Sequence, residues 1–126
     1  MRLIAVLVAA AALAGCSRRS EYPVCAVRGV TLMDGTGRPP IAPATVVVRE
    51  GKVAAMGESP SVTIPPEATV FDGTGKYIFP LDPGVPLRVG GAADLLLLKV
   101  NPAVEPGYAK MVAGKMQDGR WIQYPQ

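Results

Sequence analysis

Histidine is absent from the sequence. That removes the commonest metal ligand and general base. Cysteine is scarce, with only Cys16 and Cys25. Charge is scarce as well: 13 basic against 10 acidic residues leave a formal +3. So weak a balance, with no basic helix and no aromatic platform, argues against a nucleic-acid partner. No apolar run reaches the roughly 20 residues that a membrane-spanning helix needs. No amphipathic helix of convincing length follows the first apolar run.

Turn-forming residues, by contrast, are abundant. The 14 glycines and 13 prolines make up about a fifth of the 126 residues. They fall between apolar runs rather than in one block, which predicts many turns joining short strands. An apolar fraction of 49% argues against disorder. The length suits one domain.

Residues 3–13 form an unbroken apolar stretch after Met1 and Arg2, the length of a signal-peptide h-region. It ends in Leu13-Ala14-Gly15-Cys16, which resembles the lipobox of bacterial lipoproteins. The resemblance implies cleavage after residue 15, lipidation of Cys16 and anchoring by two or three acyl chains, which hold stably where one would not. Ser17 matches the sorting rule that permits transfer to the outer membrane, so the expected location is the bacterial cell envelope, on the outer membrane facing the periplasm. Residues 16–24 read as the lipidated cysteine and a polar tether. Arg18 and Arg19 either touch anionic headgroups or are solvated tether charges. With Cys16 lipidated, no intramolecular disulfide can form. Cys25 opens an apolar run and reads as a buried small residue, because a reactive thiol needs a base that the chain does not supply.

Residues 25–126 read as the folded domain. Residues 25–33 predict a strand bent at Gly29. Asp34-Gly35-Thr36-Gly37 is a turn, and residues 38–43 a Pro-rich loop. Residues 45–49 and 52–56 predict strands joined at Glu50-Gly51, a strong two-residue hairpin signal. Short strands at 69–72 and 76–79 flank a second Asp-Gly-Thr-Gly turn, 38 residues after the first. The flanks of the two turns do not match, so they are recurrent turn chemistry rather than a repeat. Asp82-Pro83-Gly84 marks another turn. Four consecutive leucines, Leu95 to Leu98, suit a strand buried on both faces or a short helical segment, and their short length favours the strand. Residues 110–117 and 120–124 flank Asp118-Gly119, another hairpin signal. The fold class is all-β: a small β-sandwich or partly open barrel of about eight short strands.

Three stretches carry a further resemblance: Val30-Thr31-Leu32-Met33-Asp34-Gly35-Thr36-Gly37, then residues 46–57, then residues 64–76 ending in Asp72-Gly73-Thr74-Gly75-Lys76. In order and spacing they are similar to the N-terminal segment of the amidohydrolase superfamily, closest to imidazolonepropionase-like metal-dependent hydrolases. Gly90-Gly91-Ala92-Ala93-Asp94 with the leucine run and Asn101-Pro102 resembles the segment that returns to complete the same composite sandwich. Residues 110–122 resemble its last hairpin. The family sandwich sits beside a TIM-type barrel, typically about 250 residues. Here Pro80 runs into Leu81-Asp82-Pro83-Gly84 and then the returning segment, so that barrel is missing. The family's metal ligands, chiefly histidines with a carboxylated lysine and an aspartate, find no counterparts, and Asp82 cannot replace them. No catalytic, cofactor-binding or metal-binding residue carries over.

The remaining chemistry reads as structure. Gly35-x-Gly37 and Gly73-x-Gly75 lack the following helix of a phosphate loop. Asp34, Asp72, Asp82, Asp94 and Asp118 mostly stand beside Gly or Pro, as turn and strand-end residues do. Tyr77, Tyr108, Trp121 and Tyr124 read as half-buried sheet-edge aromatics, with an aromatic binding patch as the alternative. Four functional readings stay open. They are a membrane-anchored, non-catalytic binding or interaction module, an accessory sandwich of a separate amidohydrolase chain or of a second copy, a relic of a barrel deletion, and an enzyme in its own right.

Overall fold

The computed structural model describes residues 23–126. The predicted signal peptide, Cys16 and most of the tether lie outside the described residues. Eight strands follow in order: β1 (Cys25–Leu32), β2 (Ile41–Arg49), β3 (Lys52–Glu58), β4 (Thr69–Asp72), β5 (Tyr77–Pro80), β6 (Leu95–Leu98), β7 (Val112–Gln117) and β8 (Arg120–Gln123). Two single 3-10 turns, Ser59–Ser61 and Tyr108–Lys110, are the only helical elements among the described residues. The protein is all-β.

The strands form one open sheet in the order β3-β2-β1-β5-β6-β7-β8, with β4 also paired to β1. Chain neighbours that pair do so antiparallel, and β2-β3 and β7-β8 are joined by two-residue turns. Glu50 and Gly51 have φ of 54° and 80°, Asp118 and Gly119 50° and 78°. Both turns therefore place two residues in the left-handed region, which matches the right-handed twist of the strands they join.

The centre of the sheet is different. β1 runs parallel to β4 (Cys25↔Thr69 to Arg28↔Asp72) and then parallel to β5 (Thr31↔Tyr77, Leu32↔Ile78). One edge of β1 is thus shared by two short strands lying end to end. The handover occurs at two glycines. Gly29 has φ +76° and marks a register shift in β1, the predicted bend. Gly73 donates its N–H to the Arg28 carbonyl at 2.7 Å. A Cβ on Gly73 would lie 2.7 Å from Val30 Cβ and 2.9 Å from Val27 Cγ1, so only glycine lets the chain pass this close. The Asp72 carboxylate fixes the turn by accepting from the amide and hydroxyl of Thr74 at 3.0 and 2.6 Å. These bonds hold its pKa below the usual carboxylate value. Asp34 makes the same pair of bonds to Thr36.

One core cluster forms on the sheet. Val27, Val30, Leu32, Val46, Val48, Val53, Ile78, Leu95, Leu97 and Met116 are buried together there, with Phe71 and Trp121 packed against them. Full burial of side chains this size stabilises a fold by about 1.5–3 kcal/mol each before chain entropy is charged. Within the leucine strand, Leu95, Leu97 and Leu98 are fully buried and Leu96 is half-buried. Leu98 departs from the simple alternation at a register shift, where Leu97 opposes Gly114 and Leu98 opposes Val112. The strand is therefore less deeply covered on its second face than four leucines in a row predict.

β2 starts earlier than expected, at Ile41 rather than after the Pro-rich loop. Val30 pairs with Ala44 and Leu32 with Ile41, so the Ala42-Pro43 pair falls in a register shift. A proline there costs no ladder hydrogen bond, which is how a strand can contain it.

Candidate functional site

Between β5 and β6 the chain takes a long excursion whose two ends are adjacent. Pro80 opposes Leu95 in the ladder, and Leu81 donates to the Asp94 carbonyl at 3.0 Å. The excursion is pinned at two further places. Leu87, only 4% exposed, plugs into the core, and its N–H bonds the Asp34 carbonyl at 2.8 Å. Gly35 lies beside it, where a Cβ would meet Pro80 Cγ at 2.7 Å. The stretch 90–93 stitches the first hairpin to the last: Val53 donates to the Gly91 carbonyl, Ala93 to the Gly51 carbonyl and Gly119 to the Ala93 carbonyl, at 2.9 to 3.0 Å. The excursion thus closes the open side of the sheet.

This arrangement leaves a cleft of about 610 Å³, lined by Thr36, the excursion and Gln117. That volume is in the range of small-molecule sites. Its apolar wall is formed by Leu81, Val85 and Pro86, and its polar groups are Asp82, Arg88, Asp94, Thr36 and Gln117. The two carboxylates each hold a loop amide: Asp82 Oδ1 accepts from Gly84 at 2.9 Å, and Asp94 Oδ1 accepts from Asp118 at 2.7 Å. A carboxylate has two oxygens and about four acceptor positions, so both keep capacity toward the cleft. Arg88 differs, because it has no ion-pair or hydrogen-bond partner among the described residues. Its stem lies across Gly91, where a Cβ would meet Arg88 Cγ at 3.0 Å and Nε at 3.4 Å. The side chain is exposed, and the bare backbone of Gly91 leaves room for its stem.

The other candidate residues do not converge. Cys25 is 2% exposed, and burial pushes its thiol up to about 11, with a smaller opposite pull from the nearby Trp121 indole. The Trp121 Nε1–H is itself buried without a partner in hydrogen-bond geometry. Three of the four singled-out aromatics fall into two separate groups, and Tyr77 lies in β5. Trp121 packs edge-on against Phe71 at 5.3 Å with Tyr124 at 6.4 Å, whereas Tyr108 packs edge-on against Phe79 at 5.7 Å. Asp34 and Asp72 are spent on their own turns. Arg88 and Gln117 were not distinguishable in the sequence, because neither stands in a motif.

The donor set does not fit the metal centre that the sequence resemblance would imply. The chain has no histidine, and the described residues contain no group of three or more Asp, Glu or Cys able to hold an ion.

No family model and no curated protein matches the chain. Solved structures similar to part of it are hydrolases of the amidohydrolase superfamily. Molinate hydrolase is 32% identical over 48% of this chain and 13% of its own, with a TM-score of 0.44. Phenylurea hydrolase B is 38% identical over 45% of this chain and 12% of its own, with a TM-score of 0.43. An N-acyl-D-glutamate deacylase from Bordetella bronchiseptica, solved with zinc and a phosphonate inhibitor, is 33% identical over 48% and 12%, with a TM-score of 0.37. The chain thus spans only 12 to 13% of the length of these three enzymes.

Proposed function

We propose that the chain is a membrane-anchored, non-catalytic, amidohydrolase-like β-sandwich lipoprotein that acts as a binding module in the bacterial cell envelope, on the outer membrane facing the periplasm. The observation that supports a self-sufficient module is the excursion between β5 and β6. Its ends meet at Leu81 and Asp94, and its stretch 90–93 closes the sheet where a barrel would otherwise leave it. The absence of histidine supports the non-catalytic part, because function is argued from the site and not from fold likeness. Cys16 supports the anchor, through its lipobox-like context.

A second reading is an accessory sandwich for a separate metal-dependent amidohydrolase, acting on carbon–nitrogen bonds. It is favoured by Val85 and Val89, which are 61% and 58% exposed on the excursion itself. Phase separation of cells expressing the full chain, with hydrolysis of amide and lactone substrates assayed on the purified protein, tests both. The first reading predicts partition into detergent and no turnover. Hydrolysis that survives removal of metal would contradict it, and co-purification of a metal hydrolase would favour the second.

A further inference from the structure

We propose that the cleft between Thr36, the excursion and Gln117 binds a small apolar zwitterion, of the size of a free amino acid or dipeptide. This rests on the reading of the chain as a binding module and gives that module its ligand class. Three features of the cleft carry it.

The first is Arg88. Its guanidinium lines the cleft with no counter-ion among the described residues, and its stem and Nε lie beside Gly91. Such a fork recognises a carboxylate through two parallel hydrogen bonds. The planar fork is pre-organised, so less freedom is lost per hydrogen bond formed.

The second is the pair Asp82 and Asp94. Each spends one oxygen on a loop amide, which fixes the carboxylate in place. The acceptor positions left over suit an ammonium. One cation against two anions gives the cleft a formal charge of −1. A plain anion is therefore disfavoured, whereas a molecule carrying both a carboxylate and an ammonium matches both signs.

The third is the wall of Leu81, Val85 and Pro86, which offers an apolar chain a surface between the charged groups. Val85 is 61% exposed as the protein stands, so covering it removes apolar area from water. The frame is fixed by the Leu87 plug and the bonds at Leu81 and Gly91, so binding orders little of the chain.

The test is titration of the purified full chain with leucyl-leucine, followed by two-dimensional amide NMR. N-acetyl-leucine amide, with both charges masked, and isovalerate, with the carboxylate alone, serve as comparison probes. The expected result is saturable shifts at Gly84, Arg88, Gly91 and Gln117 with a Kd near millimolar, and binding of each comparison probe at least about tenfold weaker. R88Q should weaken leucyl-leucine by about tenfold or more, and R88K should recover only part of the loss. G91A, which keeps every charge but displaces the Arg88 stem, should also weaken it. Equal binding of the masked probe would overturn the proposal, as would R88Q binding like the native chain. No saturable shift up to about 10 mM, where a millimolar site is nearly filled, would overturn it while leaving a folded module with some other partner. Absence of a dispersed, folded spectrum would overturn both this proposal and the reading it rests on.

Discussion

Gly119 sits against Gly51: a Cβ on Gly119 would lie 2.5 Å from the Gly51 Cα. The tips of the first and last hairpins therefore touch, backbone to backbone. Ala93 lies between them, donating to one tip and accepting from the other. This contact makes a closed unit of a sheet whose outer strands, β3 and β8, are at opposite ends of the strand order.

Substitution of the two kinds of glycine separates space from conformation. Gly119 and Gly37 both have positive φ, but only Gly119 has a neighbour within reach of a Cβ. G37A should cost about 1 kcal/mol, the cost of the left-handed conformation alone. G119A should cost several kcal/mol in urea unfolding, because the Gly51 backbone must move. Equal costs would mean that the hairpin contact contributes nothing to stability.

The leucine strand gives a second contrast. Leu97 is fully buried and Leu96 is half-buried. L97D places an unpaired charge in the core and should abolish folding, whereas L96D should leave a destabilised but folded chain. Circular dichroism of the two variants decides this. Unfolding by L96D would mean that the second face is as tightly covered as the first.

Cys25 should make the protein sensitive to alkali. Its folded pKa is raised from 9.0 to about 11, so the buried thiol favours the neutral form. The unfolded chain ionises first as pH rises, and the stability contributed below pH 9 is lost on passing from about 9 to 11. The loss is on the order of 3 kcal/mol at most. C25A should remove this part of the alkaline decline, measured as the difference in urea midpoint between pH 8 and pH 11. A decline identical in C25A would show that other groups carry it.

Cys16 tests the anchor. C16S should move the protein from the detergent phase to the aqueous phase, because the thiol is where the acyl chains would be attached. Retention in detergent would contradict lipidation at this residue.

Local chemistry made much of this fold legible. Both hairpin turns, the bend at Gly29 and the existence and order of the strands follow from residues within a few positions of one another. The start of β2 was hidden because Pro43 reads as a strand breaker, and only the register shift opposite Val30 and Leu32 makes room for it. The parallel pairing of β1 with both β4 and β5 was hidden for a different reason: it depends on the fit of Gly73 against Val27 and Val30, more than 40 residues away in sequence. The cleft was the least legible part. Asp82 and Asp94 were singled out as turn and strand-end residues, and those are the roles their Oδ1 atoms play. That they share a wall with Arg88, Thr36 and Gln117 comes from the closure of the sheet, which no local pattern encodes.

The sheet closes without a barrel, through the stretch 90–93 and the contact of the two hairpin tips. Thermal unfolding of the full chain in mild detergent, followed by far-UV circular dichroism, tests it most directly. The closed arrangement predicts a β-type spectrum and a single cooperative transition. A disordered spectrum, or a gradual change with no transition, would contradict it and would mean that the strands need a partner chain to hold them.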